Sequence, residues 1–75
     1  PERVAVREAV ERVVELYAPA AADKWVRVAN NVDPAAVAFV DPPILQAVVR
    51  NLVANAIKYS HPGGAVEIDG AAGEA

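Results

Sequence analysis

The stretch from Ile44 to Tyr59 contains neither glycine nor proline, and it is bracketed by Asp41-Pro42-Pro43 before and Ser60-His61-Pro62-Gly63-Gly64 after. Proline is tolerated in the first turn of a helix, where its missing N–H would have had no intrahelical partner, and Asp41 is placed to cap free N–H groups. The Pro-Gly-Gly turn cannot continue a helix. A helix of roughly four turns is therefore the fixed point around which the rest of the chain must fold. Leu45, Val49, Leu52 and Ala56 are expected to form its apolar stripe.

A second helix is expected upstream. From Ala5 to Tyr17 the apolar Val6, Val10, Val13, Val14 and Tyr17 recur at helical spacing, and Arg7, Glu8, Glu11, Arg12 and Glu15 fall elsewhere. Arg7–Glu11 and Glu8–Arg12 stand four apart, so the polar face supports itself in water. Pro19 discourages continuation, although Ala20 to Ala22 can carry a short further turn.

Between the helices the pattern changes to alternation. From Lys24, with Trp25, Arg27 and Ala29 on one side and Val26, Val28 and Asn30 on the other, the chain reads as a strand. Turn formers follow at Asn30-Asn31-Val32-Asp33-Pro34, then the short apolar run Val37-Ala38-Phe39-Val40, so a hairpin of two strands is expected. Ala65 to Ile68 supplies one more strand, and Asp69 to Ala75 reads as loop or tail. Helices and strands in this order indicate an α+β domain covering residues 1–75, with no internal repeat.

Such a domain has little to build with. Of its 75 residues 55% are hydrophobic, but 17 are Ala, so Val does most of the work of excluding water. A chain of this size buries only about 60% of its unfolded surface, and with no Cys there is no disulfide to reinforce it. Trp25 is expected to serve as packing for this lean core. Seven basic against ten acidic residues give a net charge of −3. With the basic side chains scattered among carboxylates, the clustered positive field that nucleic acids require is missing. No apolar run approaches the length of a membrane span, and no secretory signal pattern is present. The chain begins at Pro1 rather than Met, and it is expected to be a piece of something longer.

Chemistry concentrates in the second helix. At about 100° per residue, Asn51, Lys58 and Tyr59 all point within roughly 60° of Asn55, bordering the stripe that contains Leu52 and Ala56. Asn is a mediocre helix former whose side chain competes with the backbone, so two of them one turn apart need a reason. An amide oxygen can ligate a hard cation, an ammonium can meet a phosphate and an aromatic ring can stack on a base. Spacing alone leaves a second reading open, in which the Asn pair hydrogen-bonds within the domain and Lys58 is solvated.

The decapeptide Asn51-Leu52-Val53-Ala54-Asn55-Ala56-Ile57-Lys58-Tyr59-Ser60 resembles the N-box of sensor histidine kinases, whose pattern runs N-L-x-x-N-A-x-K-[YF]-[ST]. The flanks agree: a short apolar segment and amphipathic helix, a strand pair, an Asp opening the helix, and a Pro-Gly-Gly turn leading into a strand. The resemblance covers nearly the whole chain. It implies the ATP-binding catalytic domain of the GHKL, or Bergerat, type, a two-layer α/β sandwich here cut after the N-box helix and following strand. By position, Asn51 and Asn55 would be the catalytic pair meeting Mg²⁺ or the phosphates, with Asn55 the principal metal ligand. Lys58 would meet a phosphate, and Tyr59 would lie near the adenine or ribose. The cofactors implied are ATP and Mg²⁺.

The family also carries a D-x-G-x-G box that reads the adenine and a glycine-rich lid, both after the N-box, and neither occurs in these residues. Nor is there a phosphoacceptor helix of the H-E-x-x-x-P kind. His61, the only histidine, sits in a turn, where a loop role is expected, and Asp41 is expected to cap rather than to ligate. Hydrolytic relatives such as gyrase, mismatch-repair and chaperone ATPases place a Glu four residues before the metal-binding Asn. Position 51 is Asn, and an amide cannot accept a proton at neutral pH. The resemblance therefore implies phosphoryl transfer to a histidine on a separate dimerisation domain, and from there to a response regulator. The alternatives are an anti-sigma-factor serine kinase, which shares this box, and a non-catalytic interaction module of the same fold. The segment is expected in the cytoplasm, in a parent with or without a membrane anchor and with no membrane contact of its own. Taken alone, it is expected to be inactive and either loosely folded or self-associating.

Overall fold

The computed structural model describes residues 1–70 and holds six elements: β1 (Glu2–Ala5), α1 (Val6–Asp23), β2 (Arg27–Val32), β3 (Val37–Val40), α2 (Pro42–Tyr59) and β4 (Ala65–Gly70). The fold is α+β, with two helices and two separate two-stranded sheets. β1 runs antiparallel to β3, with Arg3 opposite Phe39, and β2 runs parallel to β4, with Val28 opposite Val66. The helix α1 packs on both α2 and β2. Between them lies one core cluster of Val10, Val13, Ala21, Val32, Ala36, Val49, Val53 and Ile57.

The expected hairpin does not form. β2 and β3 are consecutive strands, yet each pairs with a different partner. The cause lies in the connection: the Asp33 carboxylate accepts the Ala35 N–H (2.8 Å) and its carbonyl accepts the Ala36 N–H (2.9 Å), making a local turn that redirects the chain. Val32 and Ala36, on either side of that turn, are both buried in the core. The Ala36 carbonyl then accepts the Val6 N–H (3.1 Å), which brings β3 alongside β1 rather than β2.

The helix α1 begins at Val6, after a strand that periodicity did not indicate, and it runs through Pro19 to Asp23. Proline at that position removes the N–H that would have bonded the Glu15 carbonyl. Glu15 is exposed, so water can satisfy its carbonyl, and Ala21 in the extra turn is buried.

Beyond Asp23 the strand expected from Lys24 begins only at Arg27, after a helix stop. The Trp25 N–H donates to the Ala22 carbonyl (3.0 Å) and the Val26 N–H to the Ala21 carbonyl (2.9 Å). This is a Schellman motif, with Trp25 in the left-handed position at φ 62° where glycine is usual. Val26 and Ala21 supply the buried apolar contact that accompanies it. Trp25 itself is 79% exposed and is not core packing.

The helix α2 occupies the expected span, with Pro42 and Pro43 in its first turn. Asp41 stands at the N-cap position, but its side chain makes no capping hydrogen bond. The apolar stripe also differs from the expected one. Val49, Val53 and Ile57 are buried, Leu45 and Ala56 are half-buried, and Leu52 is 62% exposed. β4 extends to Gly70, so Asp69 and Gly70 are strand rather than tail; the remainder of the expected tail, 71–75, lies outside the described residues.

Candidate functional site

Two local devices place the second helix and the strand that follows it. At its C-terminus, the His61-Pro62-Gly63-Gly64 turn is closed by the Gly64 N–H donating to the His61 carbonyl (2.9 Å). Pro62 supplies the fixed φ of the first central position, and Gly63 adopts φ 85°, as a type II turn demands. The chain thus reverses into β4, whose start is fixed against β2 by the Arg27 N–H donating to the Gly64 carbonyl (3.1 Å).

The second device comes from the end of α1. The Lys24 ammonium reaches across to α2 and donates to the carbonyls of Ile57 (2.8 Å) and Lys58. Next to it, the Trp25 carbonyl accepts the Gly63 N–H (2.8 Å). Residues 24 and 25 therefore hold both the last turn of α2 and the loop leaving it. No sequence signal marks Lys24 for this task, because its partners lie 33 and 34 residues away.

On the helix so fixed, Asn51, Asn55, Lys58 and Tyr59 are all exposed. They do not border the core. Asn55 points roughly 160° away from the buried Val53 when the helix is projected at about 100° per residue. Among the described residues neither the Asn51 nor the Asn55 side chain makes a hydrogen bond, and the amide that does bond within the domain is Asn30, to the Arg7 carbonyl and the Glu11 carboxylate (both 3.0 Å). Within the described residues the Asn51/Asn55 pair is thus not satisfied internally. The Lys58 ammonium lies 5.4 Å from the centroid of the Tyr59 ring, within cation–π range.

Leu52 and Ala56, on one flank of this face, form a wall of a groove of about 300 Å³ whose other wall is Val66, Glu67, Ile68 and Asp69 of β4. The groove floor is apolar and its rim is acidic along β4, so a flat ring with exocyclic donors would suit it better than a phosphate. Amides and an ammonium stand on the helix beside it. Among the described residues no group of three or more His, Cys, Asp or Glu side chains could hold a metal. Any hard cation at this face would have to be shared between amide oxygens, water and a ligand's own oxygens.

No family model matches the chain, and no curated protein matches it either. Among the described residues no helix is long and apolar enough to cross a membrane.

Proposed function

We propose that this chain is the N-box portion of the ATP-binding catalytic domain of a sensor histidine kinase, of the two-layer Bergerat type. The observation that carries the reading is the coincidence of sequence and placement: Asn51 to Tyr59 of the motif lie on one helix with Ser60 at its C-cap, the two amides are exposed and have no hydrogen-bond partner among the described residues, and a groove opens on the flank. Free amide oxygens one turn apart fit a Mg²⁺ that keeps waters and phosphate oxygens as its other ligands. Bound there, Mg–ATP would supply the γ-phosphoryl group and neutralise its charge. Asn55, with Asn51, would hold the metal side; Lys58 would contact a phosphate; Tyr59 would lie near the adenine or ribose. Asn51 offers no base to activate water, which favours transfer to a protein acceptor over hydrolysis. The acceptor is then a histidine on a partner dimerisation domain, with a response regulator as the next recipient.

A second reading, a non-catalytic interaction module, is favoured by one observation. Ile44, Val48 and Leu52 form an exposed apolar row on the same side of α2 as the amides. The two readings, and that of a serine kinase, separate in one experiment on the full-length protein incubated with γ-labelled Mg–ATP. Acid-labile, base-stable label is the histidine-kinase result, acid-stable label on Ser is the anti-sigma-factor result, and no label together with no nucleotide binding supports the interaction module.

A further inference from the structure

Two of the residues proposed to meet the nucleotide stand at the wrong end of their helix for anions. Lys58 and Tyr59 occupy the last turn of α2, whose carbonyls lack the N–H four residues on and give the helix end a partial negative charge that repels phosphate. The Lys24 ammonium sits on two of those carbonyls, Ile57 and Lys58. We infer that Lys24 is a positioning residue for the nucleotide: it fixes the last turn of α2 and offsets the negative helix end, so that Lys58 can present its charge to a phosphate. The inference rests on the nucleotide reading above and deepens it.

Three features of the structure support this role. First, Lys24 is held in place by the Schellman motif that ends α1, so its side chain starts from a fixed backbone. Second, the neighbouring Trp25 carbonyl binds Gly63, so the exit loop is fixed from the same site and the last turn cannot swing away with it. Third, the only basic residue in the last turn of α2 is Lys58 itself. Without Lys24, the ammonium proposed for phosphate would be drawn to its own helix end instead. Lys24 does not itself face the groove, whose lining comes from α2 and β4 alone.

Hydrogen exchange by mass spectrometry and ATP kinetics of the full-length protein test this together. Lys24→Ala is expected to speed exchange in peptides covering 57–62 by about tenfold while leaving the core of α1 protected. It is also expected to raise the KM for ATP by about two- to fivefold, the size of a helix-end charge effect, with kcat within about twofold. Lys24→Arg, which keeps donors and charge, should restore both. Lys24→Gln, which keeps a donor only, should restore protection more than KM. Unchanged exchange in Lys24→Ala overturns the inference. So does an unchanged KM when Lys58→Ala raises it, since the nucleotide site is then present and indifferent to Lys24. If Lys58→Ala and Asn55→Ala also leave KM unchanged, the nucleotide reading falls and this inference with it.

Discussion

The Lys24 ammonium donates to the main-chain carbonyl of Ile57 at 2.8 Å, joining the end of α1 to the end of α2 across 33 residues of sequence. Ile57 is also the last buried side chain of the α2 stripe, and its carbonyl accepts the Ser60 N–H (3.2 Å) that ends the helix. One residue thus anchors the helix to the core through its side chain and to α1 through its carbonyl. The face that carries Asn51, Asn55, Lys58 and Tyr59 is oriented by these two attachments.

The register of α2 has a direct test. Val53 is 1% exposed and Leu52 is 62% exposed, so their truncations should differ sharply. Val53→Ala is expected to cost about 2 kcal/mol, from lost transfer energy and the cavity left behind, and Leu52→Ala no more than about 0.5 kcal/mol. Chemical denaturation followed by circular dichroism measures both. Equal costs would mean that the helix is rotated from the orientation described.

That pair of residues also shows what the sequence could and could not disclose. The span of α2 was legible because its punctuation is local: two prolines start it and Pro62-Gly63-Gly64 stop it. Its rotation was not, because apolar side chains occupy two faces, Leu45, Val49, Val53 and Ile57 on one and Ile44, Val48 and Leu52 on the other. Periodicity cannot choose between them; burial against α1 does. The existence of β2, β3 and β4 was likewise local; that of β1, and all strand pairing, was not. The partner of β2 lies beyond α2, and the turn at Asp33 sends β3 to β1. Trp25 fitted an alternating pattern but is part of a helix stop, where an aromatic residue is unusual and no motif announces it. The four candidate site residues could be named from their types, their spacing and the N-box resemblance, and the structure adds that all four are exposed on α2; Lys24 could not, since its contacts to α2 are made only in three dimensions.

Trp25 occupies a left-handed backbone conformation with its ring in solvent. Such a conformation costs an L-residue about 1–2 kcal/mol that glycine does not incur, partly offset by glycine's greater freedom in the unfolded chain. Trp25→Gly is therefore expected to raise stability, by about 0.5–1 kcal/mol. A loss of stability in thermal or urea unfolding would show that the ring packs on the domain.

The isolated 75-residue chain should associate with itself. Among the described residues each sheet has only two strands, so β2 and β4 each keep an unpaired edge. Phe39 and Leu52 are both well exposed. Unpaired edges and apolar patches invite a second copy. Sedimentation velocity should show a concentration-dependent dimer or larger species. A strict monomer whose central amides exchange only through global opening would contradict this.

Nucleotide affinity of the same isolated chain should be poor, because one pocket wall offers too few contacts to offset the lost freedom of the ligand. Isothermal titration with Mg–ATP is expected to show binding no tighter than about millimolar. Micromolar affinity would mean that the site has been placed on the wrong surface.

The central claim is that the exposed amides of α2 hold the metal–nucleotide for phosphoryl transfer, and Asn55 tests it most directly. In the full-length protein, Asn55→Ala removes an exposed side chain with no hydrogen-bond partner among the described residues, so the fold and its circular dichroism should be unchanged. Autophosphorylation with radiolabelled Mg–ATP should fall by roughly a hundredfold or more, since several kcal/mol of transition-state stabilisation goes with the metal. Near-normal phosphohistidine formation in that variant, at unchanged circular dichroism, would contradict the assignment.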